Sequence, residues 1–269
     1  MRIFRFRRGR TPLLISMPHV GTHVPPELVH RFSPEALILP DTDWHLEQLY
    51  DFAGEVGAGL LIATHARYVV DLNRPPDDKP LYAGADNTEL CPTTSFERAP
   101  IYLKGDVPDE KEIARRTETY WRPYHDKLAA ELRALKEEFG VAVMLEAHSI
   151  RSRLPRFFEG KLPDLNLGTA DGASASGEFA ERLFEVCLSA GDFTTVLNGR
   201  FKGGYITRAY GRPANGIHAV QLELAQCTYM EEEPPFLFVR ERAAKLRPVL
   251  RSLVENMVAW AEEWAARPD

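Results

Sequence analysis

The sequence predicts an α/β domain in which a buried sheet lies between layers of helices. Two patterns support this fold class: short apolar runs alternate with longer amphipathic segments, and polar residues, glycine or proline bound each apolar run. The hydrophobic fraction of 44% is enough for a substantial packed core. Because no internal repeat or linker-like segment divides the chain, we expect residues 1–269 to form a single domain.

The apolar runs predict strands at residues 13–16, 59–63, 66–72, 141–146, 194–197 and 219–224. The amphipathic segments predict helices at residues 42–56, 109–139, 177–189 and 238–266. The second of these helices has Asp109 as a capping residue and Gly140 as a stop signal, and Pro123 predicts a kink or break near Arg122. Two further segments, 75–108 and 151–176, are expected to be extended loops of the kind that often carry substrate contacts.

Composition favours a small-molecule partner. The net charge of -6 gives no electrostatic footprint for nucleic acid or an anionic membrane. The apolar run between Pro12 and Pro18 is too short for a membrane span and leads into no cleavage motif, so a cytoplasmic location is the default expectation. The three cysteines are widely spaced and are expected to be reduced. The sequence leaves the oligomeric state open.

Several polar residues stand at predicted strand ends, where open α/β sheets bind their ligands. His19 follows the strand at 13–16 and His148 follows the strand at 141–146. A catalytic zinc ion usually takes three protein ligands from histidine, aspartate and glutamate and leaves a fourth position for water. The third ligand could be Asp41, Asp43 or His45, although each of these residues could equally be a hydrogen-bonded loop residue or a helix cap.

Glu223 lies inside an apolar run, between Leu222 and Leu224. Burying a carboxylate is costly unless it is paired, protonated or used in chemistry. One interpretation is structural: a glutamate on the outward face of an edge strand, or one paired with an arginine. The functional interpretation is a general base that takes a proton from water at a metal ion, with a pKa raised by burial.

Candidate substrate contacts come from three further segments. Asn73 and Arg74 follow the predicted strand at 66–72, and a guanidinium there can bind a carboxylate in a bidentate fork, although an arginine more commonly forms a salt bridge. The glycine-rich segment that follows residue 202 is a second candidate cradle, with Tyr205, Thr207 and Arg208. His23 is a weaker candidate for contact with the substrate or a metal ligand. The motifs of serine hydrolases, P-loop proteins and dinucleotide-binding proteins are missing from the sequence.

Eight segments, in order along residues 13–230, resemble N-formylglutamate amidohydrolases. They are SMPHVGTHVP, DTDWHLEQLY, ARYVVDLNRPP, TYWRPYHDKL, EAHSI, LNLGT, FKGGYITRAYG and VQLELAQCTYM. The DLNRPP and GGYITRAYG pieces are especially similar to the deformylase branch of the family. The resemblance implies an α/β/α fold with a central mixed sheet, similar to zinc carboxypeptidases.

The resemblance also implies a reaction, the hydrolysis of N-formyl-L-glutamate to formate and L-glutamate in histidine degradation. It places one divalent metal, expected to be zinc, on His19, Asp43 and His148, and it makes Glu223 the catalytic glutamate and Arg74 a substrate anchor. Zinc carboxypeptidases have an acidic ligand three residues after the first histidine, where this chain has Thr22, so the third ligand must come from further along. The alternatives are a related zinc deacylase or carboxypeptidase-like enzyme acting on another N-acyl amino acid, and a metabolite-binding protein without catalysis.

Overall fold

A computed structural model describes residues 2–80 and 86–267. Within these residues, seven strands form one sheet: β1 (Phe4–Arg7), β2 (Leu13–Met17), β3 (Gly59–Ala63), β4 (Ala142–Ile150), β5 (Leu165–Gly168), β6 (Thr195–Leu197) and β7 (Ile217–Ala225). The spatial order is β1-β3-β2-β4-β7-β5-β6. Strands β3, β2, β4 and β7 run parallel to one another, whereas β1 and β5 pair antiparallel with β3 and β7. The predicted mixed sheet is therefore confirmed.

The described α-helices are α1 (Pro26–Val29), α2 (Pro34–Leu37), α3 (Leu46–Leu49), α4 (Glu110–Arg116), α5 (Arg122–Phe139), α6 (Gly177–Ser189), α7 (Tyr205–Tyr210) and α8 (Arg240–Ala265). Helices cover both faces of the sheet. Successive residues of a strand point to opposite sides, so one strand can pack against both helix layers. Leu13 and Ile15 of β2 pack in one buried cluster with residues of α6 and α8. Leu14 of β2 packs in a second cluster with residues of α5, such as Leu128. This arrangement is the predicted three-layer α/β/α architecture.

The strand predictions were correct in five of six places, with small shifts at the ends. The predicted strand at 66–72 is wrong: this buried segment is a series of turns, in which the Val69 amide donates to the Ala66 carbonyl. A turn is needed because Arg67 and Asp71 form a salt bridge four residues apart, at 2.7 Å, which an extended strand would hold apart. Two short strands were not predicted. One is β1, an edge strand in which half-buried and exposed residues alternate, and the other is β5, which lies inside the predicted loop 151–176.

The long helices were predicted well. Asp109 caps α4 by accepting a hydrogen bond from the Glu112 amide, and Gly140 ends α5 in the left-handed conformation. The interruption predicted near Arg122 is a π-helical turn over Thr117–Trp121. The predicted helix at 42–56 is instead the short α3 followed by a 3-10 turn, because His45 has a φ of 63° that breaks a helix.

The predicted loop at 75–108 contains no helix or strand in its described parts, and its residues 81–85 lie outside the described residues. The described helices include none that is long and apolar enough to cross a membrane. That residues 1–269 form a single domain stays a prediction.

Candidate metal centre and active-site cavity

The parallel strands β2, β4 and β7 bring three predicted site residues together at their carboxyl ends. His19 lies two residues beyond β2, His148 is near the carboxyl end of β4, and Glu223 is near the carboxyl end of β7. His148 and Glu223 are direct partners in the register of β4 and β7, so their side chains share one face of the sheet. The strand β4 is longer than predicted, and His148 therefore lies within it rather than after it.

Asp43 is the acidic residue that joins the two histidines. Its amide donates to the His19 carbonyl at 3.0 Å, which holds the Asp43 loop over the end of β2. One ligand atom from each of His19, Asp43 and His148 lies within 4.8 Å of the others, and all three residues are buried. Asp43 Oδ2 is 2.9 Å from His148 Nδ1 and 3.9 Å from His19 Nδ1. These three residues could hold a metal ion.

The two competitors of Asp43 have other contacts. Asp41 accepts hydrogen bonds from the Tyr68 hydroxyl at 2.6 Å and the Phe96 amide at 2.8 Å. His45 turns away from the cluster and donates from Nε2 to the Phe236 carbonyl at 2.7 Å. Neither belongs to the candidate metal group, so the geometry selects Asp43 from the three residues that the sequence leaves open.

A carboxylate lies behind each histidine of the cluster. Asp71 is 2.7 Å from His19 Nε2, and Glu146 is 2.7 Å from His148 Nε2. Metal-binding histidines commonly have this arrangement, in which a carboxylate on one ring nitrogen fixes the tautomer and directs the other nitrogen at the metal. Because both rings direct Nδ1 towards Asp43, the residues present fit a metal ion.

Opposite charges lie close together in the cluster. Burial lowers the pKa of His148, but the Glu146 and Asp43 carboxylates together outweigh burial and raise that pKa well above its usual range. Burial, reinforced by the nearby Arg67 guanidinium, lowers the pKa of His19. Arg67 is itself 2.7 Å from Asp71 and 3.9 Å from Asp43. The cluster therefore has an internal cation that compensates part of its acidic charge.

Glu223 is buried, with 7% of its surface exposed. Burial raises its pKa to about 8, and the Asp43 and Glu146 carboxylates act in the same direction. Its strand lies between β4 and β5, so the interpretation as an edge-strand residue is wrong. Its carboxylate accepts a hydrogen bond from the Gln221 amide at 3.3 Å, a neutral partner rather than an arginine. The arrangement suits a base that exchanges protons with a bound molecule.

A cavity opens from the cluster and Glu223. Its further lining residues include Asn73, Arg74, Arg200, Phe96, Phe157 and Phe201. Asn73 lies next to the metal cluster, with its amide nitrogen 3.1 Å from His148 Nε2. The Arg74 guanidinium donates to the Thr88 carbonyl at 2.9 Å and to the Thr88 hydroxyl at 2.7 Å. Both residues predicted to follow the 66–72 segment are therefore in the cavity wall.

The other predicted substrate contacts lie outside the lining that the described residues form. Tyr205, Thr207 and Arg208 belong to the short helix α7, and the Thr207 side chain bonds to Glu146 instead. The adjoining Gly204 does line the cavity, and its amide donates to the Gln221 side chain. His23 packs its ring against His65 at 4.8 Å, because the segment after β2 pairs there with residues beyond β3.

Sequence reasoning missed four residues of the site. Asp71 and Glu146 are the carboxylates behind the histidines. Arg67 is the internal cation and also lines the cavity, and Arg200 is a further cavity arginine. Asp71 and Glu146 had the same signal as Glu223, a carboxylate within an apolar run. Arg200 stands in a polar loop and had no such signal.

The fold and site place the chain among α/β proteins that have a candidate metal site beside a buried carboxylate, the arrangement that metal-assisted hydrolases use. The chain belongs to the N-formylglutamate amidohydrolase family, which it matches over residues 11–230. It is 53% identical to the N-formylglutamate deformylase of Pseudomonas aeruginosa over 261 residues, covering 97% of this chain and 98% of that protein. It is also 53% identical to the N-formylglutamate deformylase of Pseudomonas putida, with the same coverage.

Two solved structures are similar to this chain. The crystal structure of N-formylglutamate amidohydrolase from Ralstonia eutropha JMP134 matches with a TM-score of 0.84 and 25% identity, covering 98% of this chain and all of that one. A gene product of Agrobacterium tumefaciens matches with a TM-score of 0.71 and 18% identity over 97% of each chain. At that identity, the second likeness supports the fold alone.

Proposed function

We propose that this protein hydrolyses N-formyl-L-glutamate to formate and L-glutamate with one divalent metal ion, zinc, on His19, Asp43 and His148. The family and the curated deformylases that the chain resembles over nearly its full length support the substrate. One observation carries the proposal of catalysis. The buried Glu223 is the register partner of His148, so a base stands directly beside a group that could hold a metal.

The reaction adds water across the amide bond of the formyl group. The water oxygen bonds to the formyl carbon, the carbon–nitrogen bond breaks, and the nitrogen leaves as the amine of L-glutamate. Glu223 accepts the proton of the attacking water and then donates a proton to the leaving nitrogen. A metal ion on the three ligands would polarise the formyl oxygen and lower the pKa of the water. The burial that raises the pKa of Glu223 also makes its carboxylate a stronger base.

Two of the three arginines that line the described cavity, Arg74 and Arg200, bind the substrate carboxylates in this proposal. Arg74 follows Asn73, which contacts the metal cluster, and we assign it to the α-carboxylate next to the scissile amide. Arg200 also lines the described cavity and is our second candidate for a carboxylate contact, whereas a contact by Arg208 stays a prediction. Two guanidinium groups match the two negative charges of N-formyl-L-glutamate.

The test compares purified protein on a panel of substrates, with the metal content measured on the same sample. We expect formate release from N-formyl-L-glutamate, at a higher kcat/KM than the release of acetate from N-acetyl-L-glutamate or of an amino acid from a peptide, together with about one zinc per chain. A preference for acetyl or peptide substrates would identify a related deacylase or carboxypeptidase-like enzyme. Saturable binding of N-formyl-L-glutamate without formate release would identify a binding protein. The resemblance to the deformylase branch extends the proposal to a role in histidine degradation, and a cytoplasmic location stays the default expectation.

A further inference from the structure

The GGYITRAYG segment contacts residues of the site. Its predicted substrate contacts, Tyr205, Thr207 and Arg208, are not part of the described cavity lining. It forms α7, and the first turn of this helix faces the residues behind His148. The Ile206 amide donates to Asn73 Oδ1 at 2.8 Å, and the Thr207 amide donates to Glu146 Oε2 at 2.9 Å. The same two side chains face His148 Nε2 with their other polar atoms, Asn73 Nδ2 at 3.1 Å and Glu146 Oε1 at 2.7 Å.

Thr207 contacts Glu146 twice. Its hydroxyl donates to the same Oε2 atom that accepts from its amide, and the other oxygen, Oε1, is the one that faces His148 Nε2 at 2.7 Å. Thr207 and Glu146 are both fully buried. Two donors on one oxygen leave the carboxylate a single orientation in which its second oxygen points at the histidine ring.

We propose that Thr207 is a positioning residue for the metal site. By holding Glu146, it keeps the ring of His148 oriented with Nδ1 towards Asp43, which is the direction a metal ion requires. Thr207 acts through Glu146, and it is not part of the cavity lining that the described residues form. The inference rests on the metal site of the proposed function, and it assigns Thr207 a different role from the substrate contact that the sequence predicts.

The chain offers matched substitutions for this position. Thr207→Val keeps the branched shape, including the methyl group that packs near Gly203, and removes the hydroxyl. Thr207→Ser keeps the hydroxyl and removes the methyl group, and Thr207→Ala removes both. The comparison of the serine and alanine variants isolates the hydroxyl, so the test stands even if the valine variant fails to fold.

The measurement is zinc affinity, by competition with a chelator and without substrate. Replacing groups that orient metal ligands commonly weakens binding 10–100-fold, and we expect about 10-fold for Thr207→Val and Thr207→Ala because they act one residue further out. Thr207→Ser should bind zinc nearly as tightly as the wild type. Adding Thr207→Val to a Glu146→Gln protein should cause no further loss, because the residue through which Thr207 acts is already altered.

Wild-type zinc affinity in both Thr207→Val and Thr207→Ala would overturn the inference, and so would an additive loss in the double variant. Melting of the metal-free proteins separates this role from simple packing, since a packing role would lower the melting temperature without a selective loss of zinc affinity. If the wild-type protein binds no zinc, the proposed metal site itself fails, and the inference fails with it. Intact zinc binding with unaltered variants overturns the role of Thr207 alone.

Discussion

The substitution Glu223→Gln separates metal binding from catalysis. The side chain keeps its size, and the hydrogen bond from the Gln221 amide, at 3.3 Å, can go to the new carbonyl oxygen. Because burial already favours the neutral form of Glu223, a neutral amide should fit without loss of stability. Glu223 is not one of the three candidate metal ligands, and it is not assigned to bind a substrate carboxylate. The zinc content and KM should therefore change little.

The change removes the proton transfer and leaves the rest of the site. General acid–base catalysis typically contributes a factor of about 10² to 10⁴, so kcat should fall by that factor, equivalent to about 3–5 kcal/mol in the barrier. The assay is formate release under saturating N-formyl-L-glutamate, with zinc measured in parallel. His148→Ala is the comparison variant, and it should lose both zinc and activity. A Glu223→Gln protein that turns over within a few-fold of the wild type would refute the role of Glu223 as the base.

Three further outcomes are expected. Arg200→Gln should lower kcat/KM about 10–100-fold for N-formyl-L-glutamate but little for N-formyl-L-glutamine, since a charged hydrogen bond contributes about 1.5–3 kcal/mol. Arg208→Gln is the control. An equal loss of kcat/KM on both substrates would contradict the assignment of Arg200. Chelation of the metal should lower the melting temperature by several degrees, because a ligand at 100 times its Kd stabilises the fold by about 2.7 kcal/mol. Adding zinc should reverse the change. An unchanged melting curve would argue against a bound metal. His125, whose pKa burial lowers to about 3, donates from Nε2 to the Leu72 carbonyl and accepts at Nδ1 from the Tyr210 hydroxyl, so its ring should stay neutral. A folded-state pKa below the unfolded value means that its contribution to stability is present above about pH 6.5 and is lost as the pH falls towards 3. Nitrogen NMR of the imidazole should show no titration between pH 8 and 5, and a midpoint near 6.5 would contradict this.

The sequence predicts the layered fold and the two histidines of the central cluster because both follow from local patterns. Short apolar runs mark buried strands, and parallel strands end at one edge of a sheet, so His19 and His148 are expected to meet there. Glu223 stands out because a carboxylate among aliphatic residues needs a reason to be buried. These three expectations need no knowledge of how distant loops fold.

The remaining features depend on tertiary contacts that have no local signal. The segment at 66–72 is as apolar as a strand, but the salt bridge between Arg67 and Asp71 requires turns. The choice between Asp43 and His45 is made by backbone conformation, since the positive φ of His45 directs its ring to Phe236. Likewise, the sequence places Thr207 in a glycine-rich segment typical of ligand contacts and gives no sign that it faces Glu146.

The register of β4 against β7 limits how this protein can change in length. Glu146 and His148 share a face of β4 because they are two residues apart, and His148 stands opposite Glu223. Deleting one residue early in β4 would either turn both side chains into the aliphatic layer on the other side or force the strand to slip against its neighbour. We therefore expect proteins that descend from this one and keep its activity to have no insertion or deletion in β4. This should hold even at positions where any aliphatic side chain would pack.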